Sequence, residues 1–287
     1  MRSRIVRGPV SPTPLAASFR RTRMRRWPQR LLAPVFCFAL CTALQAETIT
    51  VAAAADLKFA MDEIVAAFET SSPGDRVEVV FGSSGKLQTQ IQQGAPFDLY
   101  FSADIELARR LAGAGFAASG VRPYALGRIV LWSASLDATR MTLEALADPA
   151  ITRIAIANPQ HAPYGKRAEE ALRASGLWEK VESKLVFGEN IAQAAQFVET
   201  GNAQVGILAL SLVKSPQLAQ QGGYWLVPAS LHTPLEQGYI VTKRAATNPL
   251  AHRFAAFMND PVARAVMTRY GFELSGDVAD VAGDGNR

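Results

Sequence analysis

From residue 49 onward, short apolar runs alternate with stretches in which apolar positions recur every three or four residues. That is the pattern of strands feeding amphipathic helices. Residues 49–54 are almost wholly apolar and read as a strand. Leu57, Ala60, Met61, Ile64, Val65 and Phe68 then repeat at helical spacing, one buried stripe, until Pro73 and Gly74 break the chain. Residues 77–81 read as a second strand, a short helix is expected around Leu87 and Ile91, and 97–102 read as a third strand. Residues 128–132 read as a strand that leaves this first unit.

The same grammar then returns. Residues 154–157 read as a strand and 166–174 as a helix; 185–187 read as a strand before a helix carrying Ile191, Ala194, Ala195 and Val198 on one face. Gly201 and Asn202 stop that helix, and 205–210 form a buried strand. Residues 238–242 read as a return strand, with closing helices near 251–258 and 261–270. Such alternation argues for an α/β fold with mostly parallel sheets. No repeat or Gly/Ser linker separates the halves, so strands are expected to join them, which suits hinge closure around a ligand.

Residues 1–46 break the pattern. They hold nine arginines and no acidic residue, then an apolar stretch over 31–44, then the small Ala46 before Glu47. This is the layout of a secretory signal peptide, with cleavage expected after Ala46. The apolar stretch is shorter than the ~20 residues of a spanning helix. The expected organisation is therefore a signal peptide over 1–46, a first domain over 47–127 and 233–287, and a second over 128–232. The tail 276–287, rich in Gly and Asp, is expected to fray.

Setting the leader aside changes the charge. The chain has 30 basic and 25 acidic residues, a formal +5; without the nine arginines, 21 face 25, a formal −4. The basic character belongs to the leader, and nothing in the remainder points to nucleic acid. Cys37 and Cys41 both lie in the leader, so the remainder offers no disulfide, thiolate metal site or cysteine nucleophile.

The candidate chemistry sits where strands turn into helices. Ala54-Ala55-Asp56-Leu57, Gly82-Ser83-Ser84-Gly85, Pro163-Tyr164-Gly165-Lys166 and Gly188-Glu189-Asn190-Ile191 are small polar turns at helix starts. A helix start presents unpaired N–H groups and the positive end of the macrodipole, a ready anion site. Four such turns spread over two halves, with at most one basic side chain each, suggest a binder that wraps an oxyanion with amides and hydroxyls. Taken singly, Ser83 and Ser84 also fit plain turn chemistry, and Asn190 an ordinary helix cap.

Several runs, in order, carry a family resemblance: Ala53-Ala54-Ala55-Asp56-Leu57, Phe81-Gly82-Ser83-Ser84-Gly85, residues 94–104, Gly188-Glu189-Asn190-Ile191 and Arg269-Tyr270-Gly271-Phe272. From 49 to 272 the chain resembles the periplasmic molybdate-binding proteins of ABC transporters, within the type II periplasmic binding proteins. The resemblance implies two mixed-sheet α/β domains joined by hinge strands, with a tetrahedral dianion held between them by neutral donors. It implies no catalysis and no cofactor. The ligand would be molybdate or the nearly isosteric tungstate, bound through its oxygens. The protein would be a periplasmic monomer that delivers the anion to the membrane permease of an ABC transporter.

Carried over, the site comprises Ala55 and Asp56 in the first loop, Ser83 and Ser84 in the second, Tyr164 in the third and the Ile191 N–H in the fourth. Two positions depart from the family pattern. Asp56 stands where a hydroxyl is common; a carboxylate would repel a dianion, so its side chain is expected to turn away and cap a nearby amide. Some relatives use a tyrosine near the strand that here ends at Leu208 and Ala209, and the phenol of Tyr164 is expected to replace it from across the cleft.

Other readings stay open. Asp56 as an acceptor would select an anion that still carries a proton, such as hydrogen phosphate. A ferric-ion receptor would want paired tyrosines, and no two are adjacent. A secreted hydrolase would need a nucleophile elbow and a clustered base, and neither is evident. His161, His232 and His252 fit no metal spacing, though His161 lies near the third loop. Asp98 and Asp104 flank a strand and suit structural work. Lys58 and Lys86 are candidate rim charges.

Overall fold

A computed structural model of the chain describes residues 47–274. The expected signal peptide, both cysteines and the tail 276–287 lie outside the described residues. Among the described residues eleven strands form two mixed sheets. They are β1 (Thr48–Ala54), β2 (Arg76–Gly82), β3 (Leu99–Ser102), β4 (Arg122–Gly127), β5 (Ile129–Trp132) and β6 (Ile154–Ala157). The remainder are β7 (Leu185–Gly188), β8 (Val205–Ala209), β9 (Tyr224–Leu226), β10 (Leu235–Val241) and β11 (Glu273–Leu274).

The first sheet runs β11-β4-β10-β3-β1-β2, parallel at β1, β2 and β3 and antiparallel around β10. The second runs β7-β6-β8-β5-β9, parallel at β6, β7 and β8 and antiparallel at β5. The chain passes from first to second at Arg128, the single residue between β4 and β5, and returns between β9 and β10.

Among the described residues ten α-helices flank the sheets. On the first side stand α1 (Lys58–Ser71), α2 (Ser84–Gln92) and α3 (Ile105–Gly113). The second carries α4 (Pro163–Ala174), α5 (Trp178–Val181), α6 (Ile191–Glu199), α7 (Leu210–Val213) and α8 (Pro216–Ala219). Then α9 (Pro249–Phe257) and α10 (Pro261–Arg269) pack back on the first sheet. Strand β1 shows why its run is apolar on both faces. Ile49, Val51 and Ala53 enter one core with Phe68 and Phe254, whereas Ala52 faces another with Leu87 and Tyr100. A strand covered on both sides loses the alternation that marks a half-exposed one.

Elements with clear periodicity fall within a few residues of expectation. Those the pattern does not announce are α3, β4, α5, α7, α8, β9 and β11. β4 carries Pro123 and pairs with β10 across a register shift at Gln237/Gly238, so it lacks a clean repeat. α4 also starts earlier than expected, at Pro163 rather than 166. Proline suits the first helical position because its missing N–H is not needed there. Tyr164 thus sits in the first turn of a helix, not in a loop.

Candidate functional site

The carboxyl ends of the parallel strands from both sheets face one crevice, the place where open α/β sheets bind ligands. β1 ends at Ala54 and enters a 3-10 turn, Ala55–Leu57; β2 ends at Gly82, next to Ser83 and the start of α2. From the opposite side come the start of α4 after β6 and the start of α6 after β7. These starts surround a small cavity lined by Ala54, Ala55, Asp56, Gly82, Ser83, Ser84, Ala103, Ala162, Pro163, Tyr164 and Ile191. All six residues named from the sequence line it. Nearly all of the lining is buried, and none of it is lysine or arginine.

Each wall is fixed by bonds beyond its own helix. The Ser84 hydroxyl oxygen accepts the Ala103 N–H at 3.0 Å, and its carbonyl accepts the Tyr100 hydroxyl at 2.8 Å. An oxygen held as an acceptor on one side keeps its own hydrogen free to donate elsewhere. Ser83 Oγ lies 2.8 Å from His161 Nδ1, so the histidine anticipated near the third loop meets the second loop across the crevice. The Gly85 N–H donates to the His161 carbonyl at 3.0 Å. Asn190 caps α6 by accepting from the Ala192 and Gln193 N–H groups. The first N–H of that helix, on Ile191, is not among those the cap takes.

Asp56 departs from expectation. It turns from solvent but does not cap the 3-10 turn, which has no side-chain cap. Instead its Oδ2 accepts the Tyr164 hydroxyl at 2.9 Å and the Gln237 side-chain amide at 2.8 Å. The reason is reach: Tyr164 comes in from α4, and Gln237 from β10 is wholly buried and needs a partner. Tyr124 donates to Gln237 Oε1 at 2.6 Å, which orients the amide with its N–H groups toward Asp56. The Ser211 hydroxyl donates to the Asp56 carbonyl at 2.8 Å. A Cβ on Gly127 would fall 2.3 Å from the Tyr164 phenol oxygen, so a bare backbone at the crossing between sheets makes room for this network. The Tyr164 phenol, anticipated as an anion donor, here binds the carboxylate.

Burial raises the Asp56 carboxyl to about 6, against the lowering pull of the Gln237 and Tyr164 hydrogen bonds and of the N–H groups of Asp56 and Leu57. Burial, with Asp56 beside it, holds the Tyr164 hydroxyl well above the ordinary tyrosine range, so it remains a donor.

At the rim Lys86 pairs with Glu189, and Arg167 lies 3.9 Å from Asp104, both bridging the crevice. Lys58 instead faces Asp62 on its own helix. Asp104 caps α3 through the Glu106 N–H, and Asp98 accepts the Thr50 N–H and faces Arg244. Among the described residues no cluster of three His, Cys, Asp or Glu could hold a metal ion, and no helix is long and apolar enough to cross a membrane.

Residues that sequence patterns did not single out are Gln237, Tyr124, Ser211 and Ala103. Gln237 left one clue, a polar side chain against the start of an apolar strand. The others work through a hydroxyl or a backbone N–H of kinds found all along the chain.

Residues 49–273 match the family described as bacterial extracellular solute-binding protein. The molybdate-binding protein ModA of Azotobacter vinelandii is 37% identical over 246 residues, 85% of this chain and 97% of that protein. ModA of Rhodobacter capsulatus is 37% identical over 256 residues, 87% and 99% of the two chains. The solved structure of the Azotobacter vinelandii periplasmic molybdate-binding protein superposes with a TM-score of 0.75 at 31% identity, covering 79% of this chain and 99% of that one.

Proposed function

The chain belongs to the bacterial extracellular solute-binding proteins, and from that premise we propose that it captures molybdate for an ABC transporter. The observation that carries this reading is the small cavity between the two sheets, lined by buried helix starts and hydroxyls and free of basic side chains. Solute binding, not catalysis, is the work of this family, and the hydrolase reading is set aside.

The anion would sit among Ala55, Asp56, Ser83, Ser84, Tyr164 and Ile191, with Ser84 Oγ–H and the first N–H of α6 among the donors. Charge-assisted hydrogen bonds are roughly twice as strong as neutral ones, so a dianion needs no lysine or arginine there. The two sheets with their helices, 47–127 with 233–287 and 128–232, act as domains that close on the ligand. Closure creates the shape that the membrane permease recognises. Residues 1–46 direct export to the periplasm, and the protein works there as a monomer. Tungstate, close in size and equal in charge, binds as molybdate does, and selectivity over sulfate rests on the size of the closed cavity.

Asp56 on the cavity wall favours one alternative, an anion such as hydrogen phosphate that brings its own proton to the carboxylate. Calorimetric titration of the exported protein with molybdate, tungstate, sulfate and phosphate decides between them. Tight binding of the first two with no heat from the others is expected. Tight phosphate binding with no response to molybdate would overturn the ligand while leaving the family.

A further inference from the structure

The wall of the cavity contains a group that a dianion should repel. Asp56 is 1% exposed and lines the cavity. Its Oδ2 has two donors, Tyr164 and Gln237, but Oδ1 is buried without any hydrogen-bond partner. Unpaired buried carboxylate oxygens are costly, and such exceptions call for an explanation.

The surroundings offer no cation to offset the charge. Tyr164 faces Asp56 from α4 and Tyr124 from β4; Gln237 of β10 lies between them, and Ser211 of α7 holds the backbone carbonyl. Across the cavity stand the hydroxyls of Ser83 and Ser84. His161 lies beyond Ser83, 4.0 Å from Glu189, and Glu189 in turn is paired with Lys86 at the rim. A dianion entering this space would bring two more negative charges beside a carboxylate with no counter-ion of its own. The low local dielectric makes that arrangement far worse than in water.

Resting on the reading of the cavity as an oxyanion site, we propose that the anion is bound together with one proton carried on Asp56, so that Oδ1–H becomes a hydrogen-bond donor to the anion. The step balances simply. A solvent proton joins the ionised carboxylate, the resulting carboxylic acid donates to an anion oxygen, and no bond within the anion changes. Tyr164 and Gln237 keep Oδ2 as an acceptor, which directs the proton to Oδ1. A charged wall residue thereby becomes a neutral donor like the rest of the lining.

The pH dependence follows in sign. In the empty protein the carboxyl titrates at about 6, raised chiefly by burial. A bound dianion raises it further. Between those two values the empty protein is ionised and the filled one is not, so each binding event removes a proton from solution. Affinity therefore falls about tenfold for each pH unit above that range's lower end and levels off below it. Tyr124 and Tyr164 are held well above the ordinary tyrosine range and do not titrate there. His161 is lowered from its ordinary value by burial, with Glu189 opposing and Lys86 assisting.

The test is calorimetric titration of the exported protein with sodium molybdate from pH 6 to 8.5, in buffers of different ionisation heat. About one proton taken up per anion is expected, with a tenfold loss of affinity per unit at the alkaline end. Asp56→Asn, whose amide is a permanent donor, should bind with a flat profile and no proton uptake. His161→Gln should keep the slope. Wild-type binding at constant affinity with no proton uptake overturns the inference and leaves the molybdate reading intact. A slope that vanishes in His161→Gln overturns it too, by assigning the proton elsewhere. Absence of molybdate binding at every pH removes the functional reading and the inference with it. The wild-type proton count decides even if Asp56→Asn does not fold.

Discussion

Asp56 and Tyr164 form a pair in which each residue's position explains the other's chemistry. A buried carboxylate must be satisfied, and a buried phenol usually finds a partner; here they find each other across the crevice at 2.9 Å. The bond joins a residue at the end of β1 to one at the start of α4, so it exists only when the two sides are together. Tyr164→Phe keeps the ring and removes the donor. With Asp56 neutral in the filled protein, a hydrogen bond to it contributes about 0.5–1.5 kcal/mol, so molybdate affinity should fall by roughly two- to tenfold. Calorimetry at fixed pH checks this, and unchanged affinity would mean that the bond contributes equally to both states. That both residues belong near one site was legible from the turns they occupy. Their pairing was not, because a carboxylate and a phenol are separately compatible with many partners.

At the level of elements, the site is an assembly of helix starts. Each start depends on its own cap, and α6 has the clearest one, with Asn190 accepting two N–H groups. Asn190→Ala should cost about 1 kcal/mol, visible as a fall in Tm of about 2–4 °C. The same change frays the turn that presents Ile191, so affinity should fall with it; a lower Tm with undiminished binding would show that the Ile191 N–H is not a ligand. This cap could be read directly from Asn190 and the apolar run after it. The earlier start of α4 could not, since Pro163 and Tyr164 suit a loop as well as a first turn until β6 places them under the crevice.

For the whole molecule, closure rests on close approach as much as on bonds. Gly85 donates its N–H to the His161 carbonyl at 3.0 Å, and a Cβ on Gly85 would stand 2.7 Å from that same oxygen. Gly85→Ala should therefore hold the two sides apart. Molybdate affinity should drop at least about tenfold, and small-angle scattering should show little of the compaction that the ligand produces in the wild type. Compaction equal to the wild type would mean that the crevice tolerates the extra atom. Periodicity, helix caps and turn chemistry are local, carried by neighbours a few residues apart, so the amino-acid sequence alone determined the α/β alternation, most strands and helices, and the loops that line the cavity. The partner of Asp56, the orientation of Gln237 and the meeting of Ser83 with His161 join residues 78 to 181 positions apart. Only the tertiary structure decided them, because a buried polar atom is satisfied by whichever group packing brings within reach.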